Sequence, residues 1–492
     1  PLRLVGSEMC IRDSTYSIYH LFYNDRRIFQ KKHTLWKGKI KIMKPSYYNY
    51  IIENKNGNGN ALYYNMRTGS LAQVNEKNHT DFLQFVESGT KISDKKFCED
   101  LKYCGFLIED DFDEKKDIKI RMLSSRYDTS VLSLTITPTM ACNFRCVYCF
   151  ESGHYSSGRM SEETENDICK MVEQEATHLE KLVITWYGGE PLLAIEPIEE
   201  LTYKFKEICK QFNIEYSASI ITNGYLLTES VCDMLLELDI TDAQITLDGN
   251  AKIHNSRRPL ANGGNTYDTI INNLEKIHGK IGIAIRINVD RENEKDVQSV
   301  VDELKKRGIY EDVFCYLGLV TSTNGTCSNC TCMSSEKYSE FNLDFWLKNN
   351  MPLESLYPKP MGNYCGADYA QGYVLDAQGN IYKCWSDVGV MEQRIGTAHD
   401  WNETNKKSTI SDVQSQSVFE KYMLYDPTED PVCSKCKFMP ICFGGCPHSR
   451  IENNQLCEQY RYNVGEFMQA YADAVLKEER GEDYANSGTT CS

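Results

Sequence analysis

Between residues 131 and 320 the chain carries six short β-rich runs: VLSLTITP, LVITWYGG, YSASIITNG, AQITLDG, IGIAIRINVD and DVFCYLGLV. Longer amphipathic stretches, such as 162–178 and 293–307, separate most of them. That alternation predicts strands joined to parallel neighbours through crossover helices, an α/β arrangement. Six strands suit an open, partial (β/α)6 barrel. In such folds chemistry collects at the carboxyl ends of the strands, and every run but the last ends in polar or glycine-rich residues.

Upstream, KIKIMKPSYYNYIIE and ALYYNMRTGSLAQV alternate like a strand pair around a turn, NKNGNGN. HTDFLQFVESG and SDKKFCEDLKYCG then have a capping residue, spaced apolar positions and a closing glycine, and FLIEDD follows. The order predicts a winged-helix-like module over residues 15–115, or else a structural cap on the barrel. The polar, charged stretch 116–130 reads as a linker, 131–335 as the barrel and 336–364 as a bridging region. Residues 461–492 read as a C-terminal helix and tail.

No apolar run reaches the roughly 18 residues of a membrane helix, so no membrane partner is expected. A net charge of −16 speaks against a general nucleic-acid binder, whose affinity comes from neutralising phosphates. PLRLVGSEMCIRDS at the start has neither the basic head nor the apolar centre of a signal peptide; residues 1–14 read as non-native. With no export signal, the 21 cysteines point to a reducing, cytoplasmic setting and to metal or catalytic use. Seven of them (98, 104, 169, 209, 232, 315 and 491) lie singly, mostly as small hydrophobes.

Apart from Cys10 in the excluded stretch, the rest are grouped. Cys142, Cys146 and Cys149 follow the first barrel strand, Cys327, Cys330 and Cys332 form TCSNCTC, and seven lie between Cys365 and Cys457. Structural zinc closes its shell with four ligands, yet only His154 follows the first triplet closely. A four-iron cluster on three thiolates leaves one iron open.

At this point the sequence resembles the radical S-adenosylmethionine (SAM) superfamily: three cysteines spaced three and two, Tyr148 before the last, and YGGEP (Gly188, Gly189, Glu190) after the second strand. The resemblance implies that SAM chelates the open iron and is cleaved to methionine and a 5′-deoxyadenosyl radical. It also implies that the Gly-Gly-Glu backbone and carboxylate receive the SAM amino group. Asn223, Asp248 and Arg286, at the ends of the next three strands, become candidates for SAM or substrate contact. HNSRRP (His254, Arg257, Arg258) is either a solvated basic loop or a substrate contact.

The C-terminal series, Cys365, Gly379, Cys384, Cys433, Cys436, Cys442, Cys446 and Cys457, resembles the SPASM domain of radical SAM peptide-modifying enzymes, over 365–460. By that resemblance there are two further clusters and three [4Fe–4S] clusters in all. One would use Cys433, Cys436, Cys442 and Cys457; the other would use Cys365, Cys384 and Cys446. A pair of zinc sites would need eight ligands and would draw in His448 or a neighbour. The three-thiolate cluster would have an open iron, filled by a substrate thiolate or by a cysteine of TCSNCTC.

Together these features resemble maturases of ribosomally made peptides that form thioether crosslinks. The expected partners are a precursor with a leader and a cysteine-containing core, and an electron donor such as flavodoxin or ferredoxin. The alternatives are an anaerobic sulfatase maturase, which commonly has aspartate where Trp385 follows Cys384, and a non-catalytic iron–sulfur or zinc scaffold.

Overall fold

The computed structural model describes residues 42–53, 60–153, 158–321, 332–403, 413–453 and 457–479. The expected non-native stretch 1–14, His154, Cys327, Cys330, Cys491 and residues 480–492 lie outside them.

The chain opens with β1 (Met43–Pro45), β2 (Asn49–Glu53), β3 (Ala61–Asn65) and β4 (Ser70–Val74), then helices α1 (Glu76–Ser88) and α2 (Lys95–Tyr103) and strand β5 (Leu107–Glu109). The expected single first strand is two. Proline at 45 has no N–H to continue a ladder, and after it β1 pairs with β5 while β2, β3 and β4 form a separate antiparallel sheet. Both helices start on side-chain caps, Asn75 and Asp94, which accept from backbone N–H groups three residues on. Strand periodicity gives β3 two allegiances. Tyr63 joins a local core with Phe82, Phe97, Leu101 and Phe106, whereas Tyr64 joins the main core and donates to the carbonyl of Pro358.

Much of the expected linker is helix α3 (Glu114–Arg126). Asp113 caps it, and Ile118, Met122 and Arg126 recur at four-residue intervals on one buried face. Only two of those three are apolar, so the stretch looked like a charged connector. Its ends are held by buried ion pairs, Arg67 to Glu114 at 3.2 Å and Arg126 to Asp368 at 3.3 Å.

All six predicted barrel strands are present: β6 (Val131–Ile136), β7 (Lys181–Trp186), β8 (Glu215–Thr222), β9 (Ile240–Thr246), β10 (Gly282–Val289) and β11 (Val313–Leu319). They pair in chain order and in parallel. Helices cross over between successive strands, among them α4 (Glu162–Glu175), α5 (Ile195–Phe212) and α6 (Glu229–Glu237). Beyond β6 the sheet continues. β12 (Gly372–Leu375) lies parallel to β6, with Gly372 beside Ser133 and Leu375 beside Ile136, and β13 (Asn380–Tyr382) and β14 (Gly396–Thr397) follow antiparallel. The C-terminal cysteine region thus starts as an extension of the barrel sheet, covering an edge that β6 would otherwise expose. Cys384 is brought within reach of the barrel mouth.

Candidate functional site

The triplet loop leaves β6 and is stitched across the mouth by backbone bonds. Glu190 N–H donates to Ala141 O at 2.9 Å, Arg145 N–H to Pro259 O at 2.8 Å, and Val147 N–H to Arg257 O at 3.0 Å. Cys142, Cys146 and Cys149 are half-buried on this loop. Burial pushes the Cys142 thiol up to about 12 and that of Cys146 up to about 11. A metal must therefore displace protons to bind there.

The Gly-Gly-Glu turn explains itself through this loop. Gly188 has φ +115°, and a Cβ on it would lie 2.7 Å from Thr139 O; a Cβ on Gly189 would lie 2.3 Å from Ala141 O and 2.6 Å from Met140 O. Glycine is required because the backbone that bears the cysteines passes directly over the turn. Glu190 is fully buried. One carboxylate oxygen accepts from Thr222 Oγ1 at 2.6 Å and Leu192 N–H at 3.1 Å, the other from Asn223 N–H at 2.7 Å. These bonds tie the ends of β7 and β8 together. Asn223 in turn donates to Asn143 Oδ1 at 2.7 Å, joining β8 to the cysteine loop.

Tyr148 is the hub of the opposite side. Its hydroxyl donates to Asp248 Oδ2 at 2.5 Å and accepts from Arg258 Nη1 at 2.9 Å and Asn288 Nδ2 at 3.1 Å. Arg257 bonds Asp248 at 3.1 Å and Asp290 at 2.9 Å, and its guanidinium lies 5.0 Å from the Tyr148 ring centre. The solvated-loop reading of HNSRRP is overturned, since His254, Arg257 and Arg258 are all buried. The short helix Ala251–Arg257, capped by Asn250, turns them inward. Burial and the two arginines hold His254 well below the usual imidazole range. A periodic signal existed: positions 254, 257 and 258 share a helix face.

Arg286 joins this hub through Asn288. It donates to Asn288 Oδ1 at 2.8 Å, its guanidinium occupies the space that a Cβ at Gly318 would need, and Tyr187, Tyr316 and Tyr338 surround it. Tyr187, which the sequence reading passed over, stacks on Trp385 with ring centres 5.0 Å apart, and Trp385 Nε1 donates to Thr135 Oγ1 at 3.0 Å. Electrostatically the Tyr187 hydroxyl feels Glu151, Cys149, Arg286 and Cys384. Buried Glu151 was also missed; desolvation pushes it up to about 7.

Five buried atoms at this mouth have no hydrogen-bond partner: Thr137 Oγ1, Glu151 Oε1, Asp248 Oδ1, Arg257 Nη2 and Arg258 Nε. Buried polar atoms are ordinarily satisfied. Donors and acceptors left over beside three thiols fit a polar, charge-bearing ligand held next to a thiolate-bound metal cluster.

In the C-terminal region some of the thiols lie within electrostatic range of one another. Cys384 feels Cys446, and Cys442 feels Cys433. Arg461 donates to Cys457 Sγ at 3.0 Å and feels Cys436. Cys365 is held at its backbone N–H by Asp368 at 2.9 Å, and Lys383 senses it. Among the described residues no group of three or more His, Cys, Asp or Glu side chains could hold one metal ion. In a four-iron cluster each thiolate binds its own iron, which separates the sulfurs more than a single-ion site does. Asp387, three residues after Cys384, is tied to Tyr422 at 2.6 Å and His448 at 3.3 Å.

Comparison with known proteins adds the following. Residues 136–304 match the profile of the Radical SAM superfamily. The cysteine-type anaerobic sulfatase-maturating enzyme of Clostridium novyi is 23% identical over 375 residues, covering 67% of this chain and 93% of its own. The serine-type enzyme of Klebsiella aerogenes is 20% identical, covering 65% and 81%. The solved structure of native anSMEcpe with bound AdoMet and Cp18Cys peptide superposes with a TM-score of 0.55 at 23% identity, over 71% of this chain and 99% of that one. The fold is shared. No helix among the described residues is long and apolar enough to cross a membrane.

Proposed function

Starting from the radical SAM domain at residues 136–304, we propose that this chain is a peptide maturase that joins a cysteine sulfur of a bound precursor to one of its carbons. When bound, SAM and the cluster on Cys142, Cys146 and Cys149 supply the 5′-deoxyadenosyl radical, as the cofactors do in such chemistry. The chain's own residues orient and enclose. Asp248, Arg257 and Arg258, positioned by Tyr148, offer the unpartnered acceptor and donors for the SAM end, while Gly188, Gly189 and Glu190 fix the cysteine loop against the sheet. Forming the thioether would remove one hydrogen atom from carbon, taken up by the 5′-deoxyadenosyl radical as 5′-deoxyadenosine, and one proton to solvent and one electron from the thiol, for which a cluster on Cys365, Cys384 and Cys446 would be the acceptor.

The observation that carries this reading is Tyr187. Its hydroxyl lies within electrostatic range of Cys149 of the first thiol set and of Cys384 of the second, which supports a reading in which the two sets serve one substrate. A set of three thiols, with no cysteine between 366 and 383, leaves an iron for a substrate thiolate. In this reading Cys433, Cys436, Cys442 and Cys457 hold a third cluster.

The N-terminal module supports peptide capture. On β2 the register turns the backbone groups of Ile51 and Glu53 away from β3, toward a groove of about 590 Å³ lined by Tyr47, Ile51, Phe82, Val86 and Lys437. Such an edge accepts an added strand.

A second reading, sulfatase maturation, is supported by what the curated relatives do. Against it, Trp385 is stacked in the wall of the recess and Asp387 is tied to Tyr422 and His448. Anaerobic incubation of the reconstituted protein with SAM and cysteine-containing peptides, read by mass spectrometry, separates them. Loss of two hydrogens with sulfur retained in a new crosslink supports the thioether reading. Exchange of the sulfur for a carbonyl oxygen in a sulfatase-derived peptide supports the other.

A further inference from the structure

The groove beside the outward edge of β2 carries two ammonium groups, and among the described residues no carboxylate pairs with either. Lys437 reaches it from the cysteine-rich region. Its Nζ donates to Asn49 O at 3.2 Å, at the start of the edge, and lies 5.9 Å from the Tyr47 ring centre. Tyr47 Oη in turn donates to Lys435 O at 2.6 Å, which pins the segment bearing Lys437 against the module. Lys44 lines the same groove from β1 and donates to Asp110 O. Carbonyl oxygens and a ring face hold these cations, and none carries a formal charge.

The acid in the lining is already engaged. Glu114 pairs with Arg67 at 3.2 Å and accepts from Tyr47 N–H at 2.8 Å. Asp111 and Asp113 belong to an adjoining hollow, where Asp113 caps α3 and pairs with Lys116 at 3.3 Å. The groove is therefore positive on a chain whose net charge is −16. Ile51, Phe82 and Val86 give it an apolar stretch as well.

We infer that this groove selects an extended peptide segment that is both apolar and acidic: an apolar side chain lies over Ile51, Phe82 and Val86, and an Asp or Glu meets Lys437, with a second acid for Lys44. The inference rests on the reading above of the β2 edge as the peptide groove, and it names the chemistry of the peptide. Backbone bonds along a sheet edge give affinity without sequence preference, so the side chains must supply the choice. An acidic segment is repelled by most of this chain and attracted here, which directs it to the edge. The chain's own residues 15–41 have the wrong sign to fill the groove, with seven Lys and Arg against one Asp.

The test selects random ten-residue peptides, displayed on phage, against the full chain. The enriched sequences should combine apolar positions with an excess of Asp and Glu. A synthetic peptide of enriched sequence should bind Lys437→Glu about tenfold more weakly at low salt, because reversal turns an attraction into a repulsion, and the difference should shrink as salt rises. Replacing the acids of that peptide by lysine should restore its binding to the variant. Should Lys437→Glu lose iron, Lys44→Glu, outside the cysteine loop, decides in its place. Enriched peptides without an acidic excess overturn the inference, and so does an affinity that charge reversal leaves unmoved. If no enriched peptide loses affinity in Ile51→Pro or in Val86→Arg, no strand sits on this edge, and it is the underlying groove reading that fails.

Discussion

The barrel mouth and the C-terminal cysteine region both carry thiols, but they are built differently. At the mouth the cysteine loop is tied to four strand ends by protein alone: Glu190 and Ala141, Asn223 and Asn143, and Tyr148 with Asp248 and Asn288. Around Cys433–Cys446 regular structure shrinks to a three-residue turn (Cys433–Lys435) and helices of four (Met439–Cys442) and five residues (Pro447–Ile451), linked through positive-φ Phe443, Gly444 and Gly445. Segments this short cannot sustain themselves by helix propagation. The mouth is held in place by protein contacts, whereas the C-terminal region has few of its own, so under the proposed reading its order would come from the metal it binds.

Iron removal should break the comparison most visibly. Structural metals contribute on the order of 10 kcal/mol to small zinc-folded peptides, and the same logic applies to thiolate-held clusters. After anaerobic chelation, hydrogen exchange should rise strongly across 433–453 and remain near its starting level in β6 to β11. Equal deprotection of both regions would show that the mouth, too, depends on metal.

A smaller effect is expected from Gly189→Ala, which acts on the protein-built side. The new methyl would sit 2.3 Å and 2.6 Å from two backbone oxygens, so the cysteine loop must shift. Overpacking of this kind costs about 3 kcal/mol. Denaturant unfolding should register the loss, and iron should fall at the first site only. A variant with unchanged stability and full iron would mean that the loop has room to spare.

How much of this was legible follows from the chemistry of each signal. The six strands were readable because buried parallel strands are apolar on both faces, and β6 buries five of its six residues. The cysteine spacing was readable because ligand sets repeat in sequence. What stayed hidden depended on partners far along the chain. Charged residues signal solvent, so Arg126 gave no sign of burial and α3 reads as a connector, while the helical spacing of His254, Arg257 and Arg258 does not say which way their shared face turns. Gly188 and Gly189 announced a close approach, but not that the neighbour is the backbone of residues 139–141. Tyr187 mattered only once β12 and β13 had brought Trp385 beside it.

The gentlest perturbation is Tyr148→Phe, and it sharpens the comparison because it deletes one oxygen and leaves the ring under Arg257 in place. The hydroxyl gives Asp248 one of its two bonded partners and gives Arg258 and Asn288 an acceptor. Arg257 still neutralises Asp248 at 3.1 Å, but the buried Arg258 guanidinium loses its bonded acceptor. With buried donors left unsatisfied, the net loss should be about 2 kcal/mol. Because the three bonds join the cysteine loop to β9 and β10, the change should be local. Exchange should quicken over 142–149 and at the Asp248 turn, while 433–453 stays as it was. If protection fell equally in the C-terminal region, the two thiol regions would be one cooperative unit, and the distinction between a preorganised mouth and a metal-ordered tail would be lost.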